Sequence, residues 1–157
     1  MSPRDETHRI TEAVARAGRV LVGIATRSLA RAGDVTFAQF RVLALLAKRD
    51  DPLTLGQLAN ALEIHASSAH RLCSRLEAKG LVTRRPSPTD RRIVVLSLTT
   101  AGDRAVQDVV DERRQALEPI VSRLSDAERQ SLVECLESFS AAAGDDGDPL
   151  DGLGWAV

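Results

Sequence analysis

Residues 55–99 are punctuated more tightly than any other part of the chain, and that punctuation leaves few folds open. Thr54 followed by Gln57 is a capping-box pair. It starts a short helix whose Leu55, Leu58, Ala59 and Leu62 face inward. Glu63-Ile64-His65 is a turn. A second helix follows over about residues 66–79 and stops at Gly80, a residue suited to the position just past a helix end. Ala69, Leu72 and Leu76 mark its buried stripe. Leu81-Val82-Thr83-Arg84 reads as a short strand, and residues 85–91 are too rich in turn residues to extend a helix. Residues 93–98 are β-branched and strand-like. Helix, tight turn, helix and a hairpin with a basic tip, in that order, are the layout of a winged helix-turn-helix.

The flanks are helical. Ile10, Ala13, Val14, Ala17, Val20, Leu21, Ile24 and Leu29 recur at three- and four-residue steps and predict a helix over residues 7–32. Gly33-Asp34 breaks it. Thr36 with Gln39 caps a helix over about residues 36–48, with Phe37, Phe40, Leu43, Leu46 and Ala47 on its apolar side, ended by Asp50-Asp51-Pro52. Thr99 or Thr100 opens a helix to about Leu117, ahead of Pro119. Ser125 with Glu128 opens the last, to about Ala143, with Leu132, Val133, Leu136 and Phe139 apolar. The expected fold is mainly α with a small β-wing. Residues 35–99 form the winged lobe, and residues 1–34 and 100–143 a helical dimerisation region. Residues 144–157 form an acidic, glycine-rich flexible tail in which Trp155 is the anchor-like side chain.

Charge is distributed in a way the net value of −1 conceals. Residues 1–54 carry a balance of +3, residues 55–100 of +4 and residues 101–157 of −8. Nucleic-acid binding needs a basic face, not a basic protein. No apolar run approaches the roughly 18–20 residues of a membrane span, and the first residues are polar, without a signal-peptide core. Cys73 and Cys135 do not make a disulfide framework. These features predict a cytoplasmic protein. There is no phosphate-binding glycine loop, His-Glu-x-x-His or nucleophile elbow, so no enzyme and no cofactor is expected. His8, His65 and His70 have no metal-ligand spacing with the cysteines.

Two elements carry candidate contacts to double-stranded DNA. On the 66–79 helix, Ser67 and Ser68 are small enough to let the backbone near phosphates or base edges, and His70, Arg71 and Arg75 lie further along the outward side. Arg71 and Arg75 are one turn apart, and an arginine can take guanine O6 and N7 together. At the hairpin tip, Arg91 and Arg92 follow a Pro86-Ser87-Pro88-Thr89 turn, and Asp90 can pair with one of them and preset its direction. A narrow minor groove favours an inserted guanidinium. A winged helix that binds protein instead would have no reason to align Arg71, Arg75, Arg91 and Arg92 on one side.

With these residues in view, the chain resembles the MarR family of bacterial regulators. The match is carried by Leu58-Ala59 and Leu62, by Arg71-Leu72, by residues 75–82 (Arg-Leu-Glu-Ala-Lys-Gly-Leu-Val) with Arg84, by Asp90-Arg91-Arg92, and by residues 96–99 (Leu-Ser-Leu-Thr) with Gly102. It covers about residues 8–143. The resemblance implies a transcriptional regulator, more commonly a repressor, that binds a pseudo-palindromic operator as a homodimer through intertwined first and last helices. It also implies a small aromatic or phenolic effector between the dimerisation helices and the winged lobe, for which Arg16, Phe37, Phe40 and Arg41 are the candidate lining. His65 stands where relatives often begin the recognition helix differently, and it is read as a weak cap. Peroxide-sensing relatives keep a cysteine near the start of the first helix, which this chain lacks. A redox role for Cys73 is the alternative function, and Cys135 is expected to pack beside Leu132 and Leu136.

Overall fold

The computed structural model describes residues 2–31, 33–49, 51–87 and 90–144. Trp155 and the acidic tail beyond Gly144 lie outside the described residues, as do Pro88 and Thr89. The elements in chain order are α1 (Pro3–Arg31), α2 (Phe37–Ala47), β1 (Leu53–Thr54), α3 (Leu55–Ala61), α4 (Ala66–Ala78), β2 (Val82–Pro86), β3 (Val94–Leu98), α5 (Thr100–Val121) and α6 (Asp126–Ala142).

Helix starts follow local chemistry. Thr36, Thr54 and Ser125 each cap their helix reciprocally with Gln39, Gln57 and Glu128, and Thr99 accepts the Gly102 N–H. Helix α1 begins four residues earlier than its apolar pattern suggests. Ser2 caps it, its Oγ accepting the Arg4 N–H at 3.4 Å. Pro3 is the first helical residue, where its missing N–H costs nothing. Helix α5 does not stop at Leu117 but runs through Pro119 to Val121. Proline there lies in the last turn, so it removes one hydrogen bond rather than splitting a helix. Ser122 closes the end, its Oγ donating to Glu118 O at 2.7 Å.

The sheet has the order β1-β3-β2, all antiparallel. Strand β1 is two residues long, too short for any alternation to show in sequence. It exists because β3 has an edge open to it, with Leu53 opposite Leu96 and Thr54 opposite Val95. The core lies in the winged lobe. Helix α2 is its centre: Gln39, Phe40, Val42, Leu43, Ala44 and Leu46 are all buried, more of its circumference than a one-sided stripe. Leu58, Ala69, Cys73, Leu76, Val82, Leu96, Val106 and Val109 close around it. Each buried Leu or Val among them stabilises the lobe by roughly 1.5–3 kcal/mol.

The long helices are only partly used. Helix α1 packs on α5 near its C-terminal end, where Ile24 and Ser28 are its buried residues. Arg31 reaches Glu112 of α5 at 3.6 Å. No residue of α6 is buried. Among the described residues, no helix is long and apolar enough to cross a membrane.

Candidate nucleic-acid interface

Helix α4 is held in place at both ends by the same backbone device. Before it, α3 ends with Glu63 N–H donating to Asn60 O at 3.1 Å and Ile64 N–H to Ala59 O at 3.0 Å. After it, Gly80 N–H donates to Glu77 O and Leu81 N–H to Leu76 O, both at 2.9 Å. Each pair is a Schellman cap, which requires a left-handed residue just past the helix. Gly80 supplies φ +69° without strain, whereas Glu63 adopts φ +54° with a full side chain. The helix-turn-helix corner therefore contains the strained residue. Arg41 of α2 braces the same corner, its Nη2 donating to Leu62 O at 3.3 Å.

The buried stripe of α4 is Ala69, Cys73 and Leu76, with Leu72 half-buried. At 100° per residue, Ser67 and Arg71 fall opposite that stripe, with His70 on one shoulder and Arg75 on the other. All four are exposed. Ser68 is half-buried, and its Oγ accepts a long hydrogen bond from Arg71 Nη2 at 3.4 Å. His65 occupies the N-cap position without a side-chain hydrogen bond, as a weak cap would.

The wing is the β2–β3 hairpin, registered from Val82 opposite Leu98 to Pro86 opposite Val94. Ser87 N–H donates to Ile93 O at 2.7 Å, which carries the pairing one step past the strands. Asp90 Oδ1 accepts the Arg92 N–H at 2.9 Å and lies 3.8 Å from Arg92 Nε. The aspartate therefore shapes the tip backbone and sits beside the guanidinium it was expected to preset. The Arg92 side chain is 94% exposed, and Arg91 is exposed too.

Three supports of this surface escape a reading of candidate contacts. Arg84, on β2, donates from Nη2 to Ser74 Oγ at 3.1 Å, and its Nε lies 3.2 Å from Glu77 Oε2. The Nε–H is buried and not aimed along that line, so the second contact is an ion pair and not a hydrogen bond. Lys79, the C-cap of α4, donates to the Asp34 carbonyl and lies 3.1 Å from its carboxylate, tying α4 to the segment ahead of α2. Thr99 Oγ1 donates to Gly80 O at 2.6 Å while capping α5. All three belong to the motif fragments of the sequence, but only the fold shows that they brace one another.

The residues proposed to line an effector crevice do not converge. Phe40 is core, at 2% exposure, whereas Phe37 is 43% exposed on the first turn of α2. Arg41 is spent on Leu62 O. Arg16 sits about 22 Å up α1 from Arg31, beside a cleft lined by Glu6, His8, Ile10 and Glu12. Cys73 is fully buried; burial pushes its thiol up, Arg84 lowers it and Glu77 raises it. Raised thiols are poor nucleophiles. Cys135 is exposed rather than packed, because α6 is not covered by this chain.

Comparison with known proteins agrees with this geometry. A profile described as MarR family matches residues 33–93. The HTH-type transcriptional repressor MdtR of Bacillus subtilis is 32% identical over 69% of this chain and 70% of its own. The matched stretch spans 66% to 70% of the first three curated relatives. The crystal structure of RV1404 from Mycobacterium tuberculosis superposes with a TM-score of 0.81 at 35% identity, covering 90% of this chain and 94% of that one. A Staphylococcus aureus MepR mutant bound to an oligodeoxyribonucleotide shares the fold, with a TM-score of 0.69 at 24% identity over 85% of this chain and 97% of that one. The relatives are regulators, not enzymes. By sequence and by fold, this chain belongs to the MarR family of DNA-binding transcriptional regulators.

Proposed function

We propose that the chain acts as a homodimer that reads a pseudo-palindromic operator and represses transcription from it. The observation that carries this reading is the coincidence of Ser67, His70, Arg71 and Arg75 exposed on α4 with Arg91 and Arg92 exposed on the adjoining wing. In this arrangement α4 enters the major groove. Arg71 and Arg75 reach base edges or phosphates, and the wing arginines lie over the neighbouring minor groove. No side chain caps α4, so its first N–H groups are available to a phosphate. The MepR mutant, which shares the fold, was crystallised with an oligodeoxyribonucleotide, and MdtR is named a repressor.

Dimerisation is supported by the helices that the single chain leaves bare. Leu132, Val133, Leu136 and Phe139 form an apolar face on α6, with Phe139 54% exposed. Ile10, Val14, Val20 and Leu21 do the same on α1. Two such faces buried together remove them from water, and a twofold axis sets the two α4 helices about one DNA turn, roughly 34 Å, apart. Residues 3–31 and 100–142 then serve as the dimerisation region and the segment between them as the reader.

The test is selection of bound duplexes from a random pool, followed by titration of variants. Arg92→Ala is expected to weaken binding to all sequences. Arg71→Ala is expected also to relax preference at one position in each half-site. Affinity is expected to fall steeply with salt. Wild-type affinity in both variants, or a flat salt response, would remove the docking arrangement and favour a protein partner for this surface.

A further inference from the structure

The two arginine-bearing elements of the interface are tied to each other by a residue on neither tip. Arg84 follows Val82 by two positions on β2, so both side chains point to the face of the sheet that covers α4. Val82 is buried in the core there, and Arg84 lies just beyond it, with its side chain 26% exposed. Its guanidinium meets α4 at Ser74 and Glu77. These two lie on the shoulder of the helix that also carries His70, at successive turns. One planar group therefore spans a full turn of α4 and is rooted in the wing. Arg84 also borders a cleft lined by Leu55, Pro86, Val94 and Leu96.

We propose that Arg84 is a positioning residue for sequence readout: it fixes the rotation of α4 relative to the wing, so that base contacts and groove contacts are made together. The inference rests on the docking surface proposed above. Rigid first-contact geometry matters because a bidentate arginine–base contact tolerates little misplacement. A second reason is that Nη2 is hydrogen-bonded to Ser74 and the Nε edge faces the Glu77 carboxylate. Charge on Arg84 is offset by Glu77, which leaves the guanidinium poorly suited to serve as a phosphate contact in its own right.

The experiment compares wild type with Arg84→Met, Glu77→Gln and Ser74→Ala on two duplexes, one selected from a random pool and one scrambled, by anisotropy titration across salt. Methionine keeps most of the apolar stem and removes the tie. The expected result for Arg84→Met is a loss of discrimination between the two duplexes of about tenfold, the factor one charge-assisted hydrogen bond is worth. The salt slope on scrambled DNA should stay unchanged. Glu77→Gln separates positioning from charge. It removes a negative group, so charge alone predicts tighter binding to both duplexes, whereas loss of the tie predicts weaker discrimination. Ser74→Ala, the mildest change, should reduce discrimination in the same direction and covers the case in which Arg84→Met does not fold. A salt slope reduced by about one unit in Arg84→Met would identify a direct phosphate contact and overturn the proposal. So would Glu77→Gln binding both duplexes more tightly with discrimination intact. If wild type itself does not discriminate, the docking surface fails and the proposal with it. If wild type discriminates and the variants do so equally, the proposal alone fails.

Discussion

Gly102→Ala is the smallest substitution for which the structure dictates a large effect. A Cβ built on Gly102 would lie 2.0 Å from Leu81 O, and 3.0 Å from both Leu81 C and Leu98 Cδ2. Side-chain carbons essentially never approach an atom closer than 3.0 Å, so the start of α5 and the Leu81 carbonyl must separate by about 1 Å. That carbonyl accepts the Thr99 N–H at 3.1 Å, a bond that cannot survive the shift. Thr99 also donates to Gly80 O and accepts from Gly102 N–H, so the cap of α5 and the end of α4 loosen together. Two or three hydrogen bonds at about 1 kcal/mol each, plus about 1–3 kcal/mol for overpacking against Leu98, give a loss of about 3–6 kcal/mol. Urea denaturation measures it. Gly56→Ala is the control, because no atom lies within 4 Å of its Cβ and it sits in α3. That substitution should stabilise by up to about 1 kcal/mol through helix propensity. A Gly102→Ala variant within about 1 kcal/mol of wild type would refute the close-approach account.

Other predictions follow from the same geometry. Glu63→Gly relieves the left-handed corner before α4 and should raise stability by about 0.5–1 kcal/mol; a loss on denaturation would show that the Glu63 side chain has an offsetting role. In a Cys135→Ala background, Cys73 should resist a thiol reagent in the folded state and react only in denaturant. Its folded thiol is raised, so its contribution to stability is full below the ordinary thiol value, about 8.5, and is lost as pH climbs beyond it. The alkaline loss should shrink in Cys73→Ala, and an equal loss would contradict the burial argument. Leu136→Glu places a charge at a position that is 52% exposed in the single chain, so it should leave the lobe folded while converting two-chain particles to one-chain particles in sedimentation. Persistence of the two-chain species would exclude α6 from the interface.

Much of the fold was legible because its signals are local. Capping boxes at Thr36, Thr54 and Ser125 and the stop at Gly80 each depend on residues within a few positions of one another. The exposed arginines of α4 were legible for the same reason, since Ala69 and Leu76 set the buried side and leave Arg71 opposite. Failures came where a distant contact or the full extent of an element decides. Pro119 reads as a stop, yet α5 continues, since the loss falls in a terminal turn. The two residues of β1 become a strand only when β3 lies beside them. Arg41 and Phe40, adjacent in the chain, are turned by helix geometry to different tasks, a brace on α3 and a core side chain.

The sequence by itself determined the order and type of the helices and of the hairpin strands, the placement of basic residues on one helix and one hairpin tip, and the family. Those properties are encoded by periodicity, caps and charge, which act over a few residues. Tertiary structure decided how the elements are held. It set the Lys79 link to Asp34, the Thr99 bridge to Gly80, the approach of Leu81 to Gly102 and the reach of Arg84 from the wing to α4. Each joins segments whose separation in the chain carries no periodic signal. Only packing around α2 brings them within hydrogen-bond distance.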